Sequence, residues 1–170
     1  MIIAKKNWYA VYVKSRAEKK VKIELDFLEI ENYLPLQRKL RQWSDRRKWV
    51  EVPLISGYIF VNISRKEYDK VLQTNGAVSY VCFEGKAAII PDEQIGFIKK
   101  MLSQPELNVD VLAQLFSPGD EIEVSHGPLI GLKGTLVNFR GKKRVAVQLH
   151  QLNLSLLVDL PVNQIQKMDS

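Results

Sequence analysis

Residues 53–63, reading PLISGYIFVNI, limit the possible folds more than any other stretch. β-Branched and aromatic residues dominate it, and side chains along an extended backbone alternate between faces, so it reads as a strand. Leu54, Tyr58 and Phe60 fall on one face, and Ile55, Ile59, Val61 and Ile63 on the other. A strand that is apolar on both faces belongs inside a sheet covered on both sides. The chain's own helices can cover one face. With 170 residues it has little left for the face of Tyr58 and Phe60, which points to a partner; an ordinary aromatic core is the alternative. Gly57, just before the aromatic, leaves room for a close approach.

Residues 8–13 repeat the two-sided pattern and predict a second central strand. Ser15 and Glu18 then have capping-box spacing, which predicts a helix from there to about Glu31. Ala17, Val21, Leu25 and Leu28 form one apolar stripe, expected to pack on the sheet. Ile23, Phe27 and Ile30 form a second on nearly the opposite side, either core or contact surface. Stretches 32–43 and 49–53 look extended, with 44–48 between them, so they predict a protruding hairpin. Its arms and tip carry Arg38, Lys39, Arg41, Arg46, Arg47 and Lys48, and Trp43 and Trp49 flank the tip. Cations beside aromatics suit phosphate contact plus stacking. They equally suit a solvated edge hairpin that resists aggregation.

Ser64 and Glu67 make a second capping box, which predicts a helix to about Thr74 with Tyr68, Val71 and Leu72 inward. Asn75 and Gly76 stop it. Strands at 79–83 and 87–90 surround a turn at 84–86, and Pro91 with Asp92 and Glu93 opens a third helix to about Leu102. Strands interleaved with helices argue for an α+β domain, an antiparallel sheet with helices mainly on one face. The opposite face would present Tyr12, Tyr58 and Phe60 as an exposed aromatic patch, the mark of an interaction site.

Residues 103–117 contain no Lys or Arg and include Pro105, and they read as a linker with a short turn around 111–115. From Pro118-Gly119-Asp120 onward, turns are frequent and strands short. Ile122 and Val124 alternate, as do Val145, Val147 and Leu149, and then Leu154, Leu156, Val158 and Leu160. Residues 118–170 therefore read as a small all-β barrel, and residues 1–102 as the first domain. Charge follows this division: 1–102 hold 19 Lys/Arg against 12 Asp/Glu, within a net +6 for the chain. A basic surface favours polyanions, nucleic acid first, although ordinary solubilising charge gives the same sum.

Catalytic signatures are missing. His126, His150 and Cys82 have no metal-ligand spacing. No glycine-rich phosphate loop and no nucleophile motif occurs, so neither a cofactor nor an enzymatic activity is expected. Cys82 lies in a strand pattern and reads as a small buried hydrophobe. A lone cysteine, no apolar run of membrane-spanning length and no signal peptide at the N-terminus fit a soluble cytoplasmic protein, expected to be monomeric.

Residues 8–11 (WYAV), the helix after them, and 56–61 (SGYIFV) resemble the N-terminal domain of the NusG family of transcription elongation factors. Gly119 and Asp120 after Pro118, followed by 127–134 (GPLIGLKG), resemble that family's KOW motif, with Gly127, Gly131 and Gly134 as its glycines. The resemblance covers the chain in order. It implies an antiparallel α+β domain joined by a linker to an SH3-like KOW barrel. It implies that Tyr12, Ile55, Gly57, Tyr58 and Phe60 dock on the clamp helices of bacterial RNA polymerase. It also implies that Lys14, Arg16, Lys20, Lys66, Lys70, Gln73 and Asn75 lie near upstream or non-template DNA, with nascent RNA a further candidate. A ribosomal protein or another factor at the KOW domain is a further implied partner.

Two departures bear on specialisation. Ser56 stands where the family usually has proline. The strand 154–159 (LSLLVD) stands where the housekeeping factor has a Thr-Pro-Val-Glu-like segment. This is similar to RfaH, and closer to the UpxY antiterminators of polysaccharide operons. A general elongation factor and a ribosome-associated KOW protein are the alternatives.

Overall fold

The computed structural model describes residues 3–117 and 119–169. Pro118, the expected opening of the last domain, lies outside them, as do Met1, Ile2 and Ser170. The chain divides into two compact units, Met1–Asp92 and Glu93–Ser170. The division falls ahead of the expected domain boundary at 102, so the third helix groups with the second unit.

In the first unit, β1 (Asn7–Val13) is followed by α1 (Glu18–Phe27), β2 (Asn32–Tyr33), β3 (Leu36–Gln42), β4 (Arg47–Pro53) and β5 (Tyr58–Ile63). After a 3-10 turn come α2 (Tyr68–Leu72), β6 (Ala77–Tyr80), β7 (Cys82–Phe83), β8 (Lys86–Ala87) and β9 (Ile89–Ile90). The main sheet has the order β2-β5-β1-β6, and β9 also pairs with β1. Its pairings are antiparallel. Val11, Val13, Ile59, Val61 and Ile63 turn one face toward Val21 and Leu25 of α1 and Val71 of α2, forming a continuous core. The two-sided apolar pattern is thus realised, with β1 and β5 side by side in the middle.

Four local expectations need correction. First, the strand at 53–63 is interrupted. Residues 54–57 turn, and Gly57 takes φ +83, a left-handed conformation that glycine adopts without steric penalty. Beyond its chain neighbours, no atom of the chain lies within 4 Å of the position its Cβ would occupy, so within the chain it is the turn conformation that calls for glycine. Second, Ser15 does not cap α1. Arg16 sits at φ +63 and Ala17 occupies the N-cap, while the Glu18 carboxylate turns away from its own helix to accept the Gly57 N–H at 2.9 Å. Third, α1 stops at Phe27. Glu29 at φ +56, with Ile30 N–H bonded to Leu25 C=O and Glu29 N–H to Asp26 C=O, forms a Schellman-type end with Ile30 tucked into the core. The second stripe therefore splits: Ile30 is core, whereas Ile23 and Phe27 face solvent, as does Leu28 from the first stripe. Fourth, Leu72 is exposed rather than inward, and Cys82 is exposed rather than buried, because the short β7–β8 hairpin has no layer over it.

Local signals elsewhere hold. Ser64 N–H and Oγ both donate to Glu67 Oε2, at 2.8 and 3.0 Å, closing the second capping box. The Glu67 carboxyl is held below its usual range, first by the Ser64 backbone N–H. Gly76 ends the α2 segment at φ +103, and β3 and β4 form the expected hairpin in continuous register.

The second unit begins with α3 (Asp92–Leu102) and continues through β10 (Val109–Leu112), β11 (Asp120–Val124), β12 (Lys133–Phe139), β13 (Lys142–Leu149), β14 (Leu154–Val158) and β15 (Ile165–Lys167). Its strands form an antiparallel sheet in the order β10-β14-β13-β12-β11-β15. Every residue of β14 is buried, so both faces of this Leu-rich strand are covered. The expected linker 103–117 is not wholly a linker, since its Val109–Leu112 segment pairs residue by residue with β14. Val109 and Val111 alternate with Asp110 as in a strand, but a four-residue stretch is too short to stand out by hydrophobicity alone.

Candidate functional site

The end of β1 organises the candidate surfaces. Val13 N–H donates to Gly57 C=O at 2.9 Å, and the next residue, Lys14, donates its N–H to Gly76 C=O at 2.8 Å. Two turns distant in sequence are thereby stitched to the last residue of β1 and the one after it, whose Cα atoms are about 3.8 Å apart. Helix α1 secures both turns. Glu18 Oε1 accepts from Gly57 N–H, and Glu24 Oε2 accepts from Asn75 N–H, each at 2.9 Å.

The first turn carries the aromatic surface. Tyr12 and Tyr58 face each other across β1 and β5, with ring centroids 4.9 Å apart and planes tilted 43°. Tyr12 is 39% exposed and Tyr58 half-buried. The Tyr58 phenol is pushed up to about 12, first by burial and then by its hydrogen bond with Tyr12 and that neighbour's charge. The Tyr58 phenol is therefore neutral at physiological pH, and the two rings offer an apolar body with a polar tip, the chemistry of an interface anchor.

Phe60 and Ile55, grouped with this surface on sequence grounds, lie beneath it. Phe60 is fully buried and Ile55 nearly so. Phe60 pairs with Ala10 on β1 and stacks on Tyr33 from β2, centroids 6.4 Å apart, so neighbouring strands claim it. The expectation of an exposed Phe60 is thus overturned. The accessible part of the patch is Tyr12, Tyr58 and the Gly57 turn with exposed Ser56.

The second turn carries the basic surface. Lys14 and Arg16 lie beside the Asn75–Gly76 turn through the Lys14–Gly76 hydrogen bond, and both side chains are exposed. Lys20 on α1, Lys66 and Lys70 around α2, and Gln73 and Asn75 after it are exposed as well. Gly76 is needed here for packing, since a Cβ would lie 2.9 Å from Val21 Cγ2 and 3.2 Å from Ala17 Cβ.

The β3–β4 hairpin carries the third group. Arg46, Arg47 and Lys48 are exposed at its tip. The tip stands roughly 20 Å beyond the base, at about 3.4 Å per residue. Lys19 Nζ donates to Glu51 C=O at 2.8 Å and ties the base region to α1. Register places Arg41 directly opposite Lys48, and Lys39 lies two positions along on the same face. Like charges directly opposed across a strand pair destabilise it, and a bound anion relieves that cost. The other face carries Leu40 opposite Trp49, with the Arg38 guanidinium 5.5 Å from the Trp49 ring centroid. This like-charge pairing was not legible in the sequence, because it depends on register.

The three glycines of the second unit have structural duties. Gly127 and Gly131 adopt φ +90 and +87. Gly134 sits so close to β13 that a Cβ would meet Val145 Cγ1 at 2.7 Å and Ala146 O at 2.8 Å. Among the described residues no group of His, Cys, Asp or Glu could hold a metal ion. Among the same residues, no helix is long and apolar enough to cross a membrane.

Comparison with known proteins places this geometry in context. A family model described as transcription termination factor NusG matches residues 6–99. The chain is 24% identical to the transcription termination/antitermination protein NusG of Halalkalibacterium halodurans, over 95% of this chain and 98% of that one. It is 23% identical to the corresponding protein of Staphylococcus carnosus, over 98% of each. A solved structure concerned with domain interaction in Thermotoga maritima NusG aligns with a TM-score of 0.57 at 19% identity, over 97% of this chain and 98% of that one. That likeness concerns the fold: an α/β domain followed by an all-β antiparallel domain.

Proposed function

The chain belongs to the NusG family of transcription termination/antitermination factors, which are not enzymes, and on that premise we propose that it bridges RNA polymerase and nucleic acid in the transcribing complex. The observation that carries this reading is the pair of hydrogen bonds at the end of β1. They hold the Gly57 turn, beside the Tyr12–Tyr58 pair, and the Gly76 turn, beside Lys14, Arg16 and Asn75, on adjacent residues. An aromatic surface and a cationic surface then share one support, as a bridge between protein and polyanion requires.

In this reading Tyr12, Tyr58 and the Gly57 turn contact the polymerase clamp helices, with Ile55 and Phe60 bracing them from below. Lys14, Arg16, Lys20, Lys66, Lys70, Gln73 and Asn75 contact upstream or non-template DNA, and Arg46, Arg47 and Lys48 extend that contact through the hairpin tip. The factor works in the cytoplasm as a monomer of two domains, with the second unit engaging a further factor of the transcription or translation machinery. Clamp contact favours the closed, elongating state and suppresses pausing by differential affinity for that state.

The general elongation-factor reading takes precedence, given near end-to-end similarity to housekeeping NusG proteins. Specialisation as an antiterminator of polysaccharide operons is the second reading, favoured by Ser56 and by the LSLLVD strand.

The test is a titration of the fluorescence-labelled full chain, wild type and Tyr58→Ala, with bacterial core RNA polymerase and unlabelled NusG as competitor. Wild type is expected to bind and to be displaced. Tyr58→Ala is expected to lose about 2 kcal/mol, roughly 30-fold, as an interface anchor does. Silence of the wild-type chain overturns the reading.

A further inference from the structure

The partner of β14 is supplied by a segment whose sequence reads as a connection. Val109 lies opposite Val158, Asp110 opposite Leu157, Val111 opposite Leu156 and Leu112 opposite Ser155. The contacts beyond this ladder are of two kinds. Some read only the backbone of the added segment: Ser155 Oγ, on a fully buried residue, donates to Gln114 C=O at 2.7 Å, and Gln148 Oε1 accepts from Phe116 N–H at 3.0 Å. Two involve a side chain of the segment, Asn108 and Asp110, and Asn108 Nδ2 donates to Asp159 Oδ2 at 3.3 Å. Arg144, 6% exposed, donates from Nη1 to Asp110 Oδ2 at 2.6 Å, while its Nε lies 2.6 Å from Asp159 Oδ1 and its Nη2 donates to Leu157 C=O at 3.2 Å. Asp159 is a fixed part of the site. Burial alone would raise its carboxyl, but hydrogen bonds from Lys142 and Asn108 and the Arg144 charge outweigh it and hold it below the usual value.

We propose that this edge of β14 is a strand-addition site for an extended protein segment, with residues 109–112 as its resident occupant. It would take in trans a segment of the same pattern, apolar residues around a carboxylate that reaches Arg144. Main-chain hydrogen bonds supply affinity in such sites, and a few side-chain pockets supply selectivity. Ser155, Gln148 and Arg144 divide those tasks here. The resident strand is suited to exchange. It is four residues long, Val109 alone among them is buried, and the Asp110 carboxylate is 55% exposed. Short edge strands with few buried contacts open well below the cost of global unfolding. A departing strand leaves β14 with an unpaired edge and Arg144 with one carboxylate instead of two, which is the state that captures a partner segment.

The probe is a fluorescein-labelled peptide of residues 107–116, titrated by anisotropy into the full chain and into a full chain carrying Asp110→Lys and Val111→Pro. The altered chain is expected to bind the peptide at least about tenfold more tightly than wild type, because the resident strand no longer competes. A peptide with lysine at the Asp110 position is expected not to bind, and Ser155→Val in the altered chain to weaken binding severalfold. Equal binding by both chains, or none, overturns the proposal. Hydrogen exchange of the unaltered full chain decides the matter even if the altered chain fails to fold. Amides of Val109–Leu112 are expected to exchange at least about 100-fold faster than those of Val145 and Val147. Exchange in step with β13 would make β10 an integral strand and end the idea. No polymerase enters these measurements, so their outcome is independent of the clamp-binding test.

Discussion

At the scale of residues, the glycines separate two reasons for the same choice. Gly131 has an open Cβ position but φ +87, so Gly131→Ala meets backbone strain alone and is expected to cost about 1–2 kcal/mol. Gly134 has no positive φ, yet its Cβ would overlap the Ala146 carbonyl of the next strand. Gly134→Ala must push β12 from β13 and is expected to cost more, about 3 kcal/mol, with urea unfolding of the full chain as the check. Equal costs would refute that division. Tyr58 yields a pH dependence. Its folded value is raised to about 12 by burial and by Tyr12, above an unfolded value near 10, so the folded state binds the proton more tightly. Its stabilisation is complete below pH about 10 and is lost as pH climbs toward 12. Tyr33 is raised to about 12 by burial as well. Urea midpoints across this range should therefore fall for wild type and fall less for Tyr58→Phe.

At the scale of elements, the hairpin and α1 show how much a local pattern can carry. The hairpin is read from its two extended stretches and the turn between them, while its register, and with it the Arg41–Lys48 pairing, comes from the fold. Changing Arg46, Arg47 and Lys48 to Ala is expected to lower affinity for duplex or single-stranded DNA. The log–log salt slope should flatten by up to about one unit per lost phosphate contact. An unchanged slope would assign the tip to solvation. Helix α1 does two tasks at once. Val21 and Leu25 fill the core, while Glu18 and Glu24 project sideways to the Gly57 and Gly76 turns. Both carboxylates border the apolar stripe, Glu18 three residues before Val21 and Glu24 three after it, but helical periodicity does not tell which distant turn each one meets.

At the scale of the molecule, the second unit extends upstream of the KOW-like glycines. A fragment beginning at 118 lacks Asp110, Gln114 and Phe116, the partners of Arg144, Ser155 and Gln148. A fragment beginning at 104 keeps them and is expected to be more stable by about 1–3 kcal/mol in urea, the cost of leaving buried polar groups unpaired. Circular dichroism of both should show strand. A mainly helical 118–170 would mean that β10 is what holds the sheet.

The sequence by itself determined the two central strands, the Ser64–Glu67 cap, the basic hairpin, the terminal all-β region and the family. Each rests on an interaction between residues close in the chain, or on an alternation that the backbone enforces. Tertiary structure decided the rest. Ser15 and Glu18 have the same spacing as Ser64 and Glu67, yet Glu18 bonds the half-buried N–H of Gly57, thirty-nine positions away, instead of closing a capping box at its own helix end. Phe60 is covered by neighbouring strands, Cys82 by none, and Val109–Leu112 pairs with β14 although it reads as a connection. In each case the outcome depends on which of several chemically equivalent partners arrives in space, and a one-dimensional pattern carries no term for that competition.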